Sequence, residues 1–509
     1  MLFFSNCAKN SIEMKSPNVI FFLVDDIGWS DVGCYGSEFY ETPNIDKLAS
    51  EGVRFTDAYS ACHVCSPTRA SILTGKYPAS LNLTDWLPGR RNFSFQKLKN
   101  VEINQYIPYD ISTLPKMLKN NGYKTAIIGK WHLGEDDDST LKQGFDSHLP
   151  DWNKGWPKEG YYFPYGMKGL EVGDEGEYLT DRLTDEAIKY IEHNKETPFF
   201  LYLSHFAVHD PIEGRKDLVK KYSNKLKGND PPGGEPFILE TNPDEKKSIT
   251  RIELDSLLED NKYKGYKIFS NGSVKIKQHQ DNVEFAGMVE SMDESLGRIM
   301  KKLKELELDQ NTVVIFYSDN GGMSAANFYF PDREISKKEI DKAFSTSNLP
   351  LRGGKGWMYE GGIRVPLIIK WPVKGLQGVV SNVPVTSPDF FPTIIEMIGL
   401  EAENNNQKEG ISMVPLLKGD QKLEREAIYW HFPHYSNHGN QSPGGVIRSG
   451  DYKLLEYYEN NTIQLFNLAE DPGEQNDLST KEPERVNKLR LLLTNWRKNV
   501  NAKMMSPNS

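Results

Sequence analysis

The sequence predicts an α/β protein: one large, mostly parallel sheet sandwiched by helices, followed by a smaller C-terminal α+β domain. Three observations carry this. Short apolar runs alternate with amphipathic helical stretches from the start to about residue 395, the pattern of parallel strands joined by crossover helices. The chain has 509 residues, whereas a single core rarely grows past about 250–300 residues. A polar run at 401–410 then separates this pattern from a second one of short β-like segments and a terminal helix.

The elements follow in order. Residues 1–17 read either as a disordered start or as the remnant of an apolar export signal ending at Cys7, which a lipoprotein would acylate. The larger unit spans 18–398. Strands are expected at 18–24, 124–129, 198–204, 312–318 and 366–371, each a short run rich in Val, Ile, Leu or Phe. Between 283 and 306 apolar residues such as Phe285, Met288, Met292, Leu296 and Leu303 recur at three- and four-residue steps, which predicts one helix with a single buried stripe. Residues 223–280 are polar and broken by Asn-Asp-Pro-Pro-Gly-Gly, and read as an insertion at the rim of a site. Residues 399–509 form the second unit, with strands at 427–430, 445–449, 452–457 and 463–467 and a helix from about residue 482.

Hydrophobic residues make up 38% of the chain, as in globular proteins, and the longest apolar run, at 19–24, falls far short of the roughly 20 residues of a membrane-spanning helix. No transmembrane segment is expected. The net charge of -10 argues against a nucleic-acid partner, which needs a basic face, so an anionic substrate must meet a local cationic pocket. Cys7, Cys34, Cys62 and Cys65 are too few for a disulfide framework, and Cys34 and Cys62 read as buried small residues.

In an open parallel sheet the ligand site lies beyond the carboxyl ends of the strands. Four predicted strands end there in polar residues: Asp25-Asp26, Lys130-Trp131-His132, the run from His205 to His209, and Asp319-Asn320. Each alone has a plain reading as helix cap or turn, but four in one sheet point to one cleft. Asp25, Asp26, Asp319 and Asn320 supply only oxygen donors, which suits calcium better than zinc, with magnesium as the alternative. A cation also explains adjacent carboxylates, which would otherwise raise one another's pKa.

The most specific run is Cys65-Ser66-Pro67-Thr68-Arg69, followed by Leu73-Thr74-Gly75. It resembles the maturation signature of type I sulfatases of the alkaline-phosphatase-like superfamily, in which this cysteine is oxidised to Cα-formylglycine. Thr68 stands where many members carry Ser. Asp25-Asp26-x-Gly28, Gly129-Lys130-Trp131-His132, Ala207-Val208-His209, Ser318-Asp319-Asn320-Gly321 and Gly354-Lys355-Gly356 also fall in family order. The resemblance implies an alkaline-phosphatase-like sheet, one calcium ion on Asp25, Asp26, Asp319, Asn320 and residue 65, and a formylglycine-generating enzyme as partner. It further implies that a hydrated residue 65 attacks sulfur, that His132 is the base that lets sulfate leave, and that Lys130 and Arg69 hold the hydrate. His209 would protonate the leaving oxygen, and Lys355 would bind the sulfate.

Cys62-x-x-Cys65 also fits a redox pair or half a zinc site, but no second pair accompanies it. An arylsulfatase, or a phosphonate or phosphodiester hydrolase of the same superfamily, is the alternative reading. A purely carbohydrate-binding protein would have no use for nucleophile, cation ligands and acid–base residues together. For substrate contact, Trp86 with Arg90, and His431 with His434, set aromatic planes beside cations and hydrogen-bonding rings, a combination suited to a sugar. These segments resemble those of exported bacterial polysaccharide sulfatases. That resemblance implies an exo-acting enzyme on a sulfated glycan, periplasmic or lipoprotein-anchored.

Overall fold

A computed structural model describes residues 16–508, except 94–95, 135–137, 229–232, 241, 245–273, 326–343, 401–408 and 439–440. Cys7 and much of the expected insertion lie outside the described residues. Eight strands build the main sheet: Asn18–Val24 (β1), Val53–Phe55 (β2), Lys124–Gly129 (β3), Ser147–Leu149 (β4), Phe199–Ser204 (β5), Thr312–Ser318 (β6), Leu367–Lys370 (β7) and Val379–Ser381 (β8). Their order is β8-β2-β7-β6-β1-β5-β3-β4. β1 runs parallel to β5 and β6, and β3 parallel to β5 and β4, whereas β7 is antiparallel to β6 and β2. The sheet is therefore mixed towards one edge.

Side-chain alternation along β1 explains the layers. Val19, Phe21 and Leu23 join one core with Ala70, Ile72 and Leu73 of the helix Cys65–Thr74 (α1). Ile20, Phe22 and Val24 join the opposite core with Leu183 of Leu179–His193 (α2) and with Phe285, Met292 and Leu296 of Val283–Glu305 (α3). Asn282 starts α3 by accepting hydrogen bonds from the Glu284 and Phe285 amides, satisfying donors the first turn leaves open. Both faces of the sheet are thus covered, which is why its central strands are uninterrupted apolar runs.

The C-terminal sheet is antiparallel, in the order Ile428–Phe432 (β9), Gly444–Ser449 (β10), Tyr452–Tyr457 (β11) and Ile463–Asn467 (β12). One face, including Trp430, Phe432, Val446 and Leu455, packs on Val64, Trp357 and Tyr359 of the larger unit; the other packs on the helix Pro483–Asn499 (α4). Buried charge joins the two units. Lys453 Nζ lies 3.0 Å from Glu360 and 2.8 Å from Glu474, with all three side chains fully buried. Cys62 is buried as expected, but Cys34 is only half-buried.

Candidate active site

Parallel register brings the strand ends level: Val24 pairs with Ser318, and Ser204 with both Leu23 and Gly129. Asp25, Asp319, His205 and Lys130 consequently leave the sheet at one edge. Asp26 and His132 turn there with φ of 64° and 57°, a left-handed backbone that non-glycine residues rarely adopt. Facing this edge, α1 starts at Cys65, so its free amides and the positive end of its dipole lie at that residue.

Three carboxylates interlock with three cations. Lys130 Nζ is 2.5 Å from Asp25, Arg69 Nε is 2.8 Å from Asp319, and Lys355 Nζ is 2.7 Å from Asp26. Ser204 Oγ accepts from Arg69 Nη1 at 2.6 Å and donates to the Lys130 carbonyl at 2.7 Å. All these side chains are buried. Burial, reinforced by Asp319 and opposed by Lys130, pushes the Asp25 carboxyl up to about 6. Burial acts the same way on Asp26, but Lys355 and His209 outweigh it and hold that carboxyl below the usual range.

Two buried oxygens in this cluster, Asp25 Oδ1 and Asn320 Oδ1, have no hydrogen-bond partner. The Asn320 amide is oriented by its Nδ2, which donates to Asp26 Oδ1 at 2.7 Å and to the Gly321 carbonyl at 3.0 Å. Open oxygens at such depth are costly unless a cation meets them. Ligand atoms of Asp25, Cys65 and Asp319 lie within 4.8 Å of one another, as do those of Asp25, Asp26 and His209. The carboxylate and amide oxygens gathered here fit a hard divalent cation such as calcium or magnesium.

His132 Nε2 is 2.7 Å from the Leu87 carbonyl and therefore carries the ring proton, which leaves the Nδ1 lone pair 3.3 Å from Cys65 Sγ. Burial, then Lys130, holds the His132 pKa well below its ordinary value, so the ring is neutral at neutral pH. A Cβ on Gly155 would lie 2.4 Å from His132 Cε1, so this seat for the ring requires glycine. His209 Nδ1 is 2.8 Å from the Asp210 carbonyl, and its Nε2 is 3.9 Å from Asp26. His205 instead bonds Ser295 Oγ at 3.0 Å and packs on Phe22, within the core. Burial, against Lys130 and Lys355, holds the Cys65 thiol above its usual pKa, so an unmodified Cys65 is a weak nucleophile at neutral pH.

A family model described as Sulfatase matches residues 17–400, well over half of the chain. The chain belongs to the sulfatase family. It is thereby a sulfuric ester hydrolase. A second model, described as N-sulphoglucosamine sulphohydrolase, C-terminal, matches residues 354–499. This sulfatase is 29% identical to a sulfatase of Formosa agariphila, over 92% of this chain and 86% of that one. It is 27% identical to an N-acetylglucosamine-6-O-sulfatase of Bacteroides thetaiotaomicron, over 94% of this chain and 85% of the relative. A crystal structure of Ps i-CgsB in complex with k-i-k-neocarrahexaose superposes with a TM-score of 0.69 at 28% identity, covering 95% of the sulfatase and 93% of that chain.

The residues expected to contact substrate separate into three places. Arg90 and His434, with Asp85, Pro88 and Gly89, line a cavity of about 330 Å³. Its wall continues from Leu87, whose carbonyl anchors His132. Trp86 is half-buried against the core beneath the C-terminal sheet. Arg90 donates to the Ser436 carbonyl while its Nε has no partner, and His434 Nε2 is 2.8 Å from Thr84 Oγ1. His431 is not in this group. Alternation along β9 turns it away from the face of Trp430 and Phe432, and Tyr458 Oη at 2.8 Å and the Lys503 carbonyl at 2.9 Å occupy both its nitrogens. It pins the C-terminal tail.

Sequence reasoning missed Ser204, hidden as the last residue of an apolar run, although it bridges Arg69 and Lys130. It also missed His63 and His438, buried with neither ring nitrogen hydrogen-bonded. His63 had a signal in its place two residues before Cys65; His438 had none.

Proposed function

We propose that this sulfatase releases sulfate from a sulfated carbohydrate, acting exo, with residue 65 matured to formylglycine and one calcium ion held by Asp25, Asp26, Asp319, Asn320 and residue 65. The observation that carries this reading is the pair of open, buried oxygens, Asp25 Oδ1 and Asn320 Oδ1, in the same cluster as Cys65. A sugar is favoured by the N-acetylglucosamine-6-O-sulfatase relative and by the similarity to a protein crystallised with a neocarrahexaose.

When bound, calcium supplies positive charge against the sulfate oxygens. Hydrated formylglycine supplies one hydroxyl to attack sulfur and a second whose deprotonation lets sulfate leave. The chain's own residues do the rest. Lys355 offsets charge on the sulfate oxygens, and Arg69 and Lys130 fix the carboxylates around residue 65. His132 takes a proton at Nδ1, because Leu87 keeps its other nitrogen occupied. His209, whose Nδ1–H is given to the Asp210 carbonyl, delivers a proton from Nε2 to the departing sugar oxygen in its imidazolium form and is left as the neutral ring. Arg90 and His434 receive the ring beyond the sulfate.

No helix among the described residues is long and apolar enough to cross a membrane. Our reading places the enzyme outside the cytoplasm, exported or lipid-anchored, after a formylglycine-generating enzyme has acted on the Cys65 segment. Inorganic sulfate release from N-acetylglucosamine-6-sulfate and from neocarra-oligosaccharides, compared between wild type and Cys65→Ala, tests the proposal. Release confined to wild type supports it; hydrolysis of para-nitrophenyl sulfate with no release from any saccharide would sink the carbohydrate reading.

A further inference from the structure

Seven histidines are buried. Five of them, His132, His205, His209, His431 and His434, have at least one ring nitrogen hydrogen-bonded. His63 and His438 have neither. Core packing gives no reason to bury an imidazole in place of an apolar ring, because unpaired nitrogens are costly. A metal does not explain them either: among the described residues, the clusters whose ligand atoms converge include neither ring.

Both residues close on the loop that carries Lys355. The amide of Gly356 donates to the His63 carbonyl at 2.9 Å. A Cβ on Gly356, whose φ is +85°, would lie 2.3 Å from the Cβ of His438, so the approach depends on glycine. His438 is held there by Ser436, whose Oγ donates to its carbonyl at 2.9 Å and accepts from its amide at 3.2 Å. Two chain segments, one just before Cys65 and one from the C-terminal unit, thus meet at the residue that follows Lys355 through the His63 carbonyl and the His438 Cβ, while the His63 ring lies edge-on to Phe432 at 4.2 Å.

We propose that His438 is a specificity wall of the sulfate subsite that hydrogen-bonds an uncharged hydroxyl on the sulfated sugar ring. The inference rests on the carbohydrate reading above. Burial, followed by the nearby Lys355, keeps the His438 ring uncharged. A neutral imidazole offers one N–H and one lone pair, which matches a hydroxyl that both donates and accepts. A second sulfate, which only accepts and carries charge, matches it poorly.

The test compares kcat/KM for N-acetylglucosamine-6-sulfate or a neocarra-oligosaccharide, whichever wild type hydrolyses faster, with kcat/KM for para-nitrophenyl sulfate. His438→Ala is expected to lower the saccharide-to-aryl ratio at least roughly tenfold, mainly through KM of the saccharide, as when a site built to bond a hydroxyl loses its partner. His438→Phe, which keeps the ring volume without nitrogens, should lower it equally. His438→Gln, which restores a donor and an acceptor but transfers no proton, should recover most of it. A ratio unchanged in both His438→Ala and His438→Phe overturns the inference and leaves the carbohydrate reading standing. Wild type that hydrolyses para-nitrophenyl sulfate and no saccharide overturns both.

Discussion

The Nδ1 of His132 stands 3.3 Å from the Sγ of Cys65 while the Leu87 carbonyl holds the far side of the ring. One nitrogen is anchored so that the other stays open. If that lone pair is the base, His132→Ala should lower kcat by about 10²–10⁴-fold, the usual contribution of a positioned base. Gly155→Ala, whose new methyl would strike the ring, should fall in the same direction by less. Steady-state sulfate release measures both, and unaltered kcat in His132→Ala would remove it from the scheme.

Calcium should be separable from the folded protein. Removing it with a chelator should abolish sulfate release, and adding calcium back should restore release and raise the melting temperature. Ligand at 100 times its Kd stabilises by about 2.7 kcal/mol. Asn320→Ala deletes one of the two open oxygens. Its calcium affinity should drop by more than the roughly 10–100-fold typical of losing an outer-sphere partner. A melting temperature indifferent to calcium would count against the ion.

Acid should weaken the fold through its buried histidines. Burial depresses the pKa of His205 from 6.5 to about 3. Below pH 6.5 the unfolded chain takes up a proton that the folded chain refuses until about pH 3. The stability this residue contributes is therefore complete above pH 6.5 and is lost as pH falls towards 3, by about 1.4 kcal/mol per pH unit. His205→Gln should take one proton out of the slope of unfolding free energy against pH, followed by urea titration. An unchanged slope would contradict this.

Lys453 bridges Glu360 and Glu474 with all three side chains fully buried. Lys453→Met leaves two carboxylates facing each other, and should destabilise by about 3–5 kcal/mol, as when one partner of a buried pair is removed. A urea midpoint close to wild type would show that the pair adds little.

The central sheet was legible because β1, β5 and β6 are buried on both faces and so write themselves as largely apolar runs. The edge at which Asp25, Lys130 and Asp319 gather was legible for the same reason: a parallel sheet ends its strands together. The antiparallel sense of β7 was not, since nothing in a four-residue apolar run encodes direction. His431 misled because an alternating strand hides which face a ring takes, and only the tail at Lys503 decides it. Ser204, His438 and the Lys453 pairings depend on contacts between segments far apart in the chain, which local pattern does not carry.

In the proposed mechanism residue 65 attacks sulfur and is then cleared by a second hydroxyl that only the matured residue possesses. Cys65→Ser keeps one hydroxyl and lacks the second. Its intact mass, measured after incubation with the saccharide that wild type desulfates, should show one sulfate retained on the protein at residue 65, with no further release. Repeated turnover at the wild-type rate, with no sulfated protein, would contradict the account.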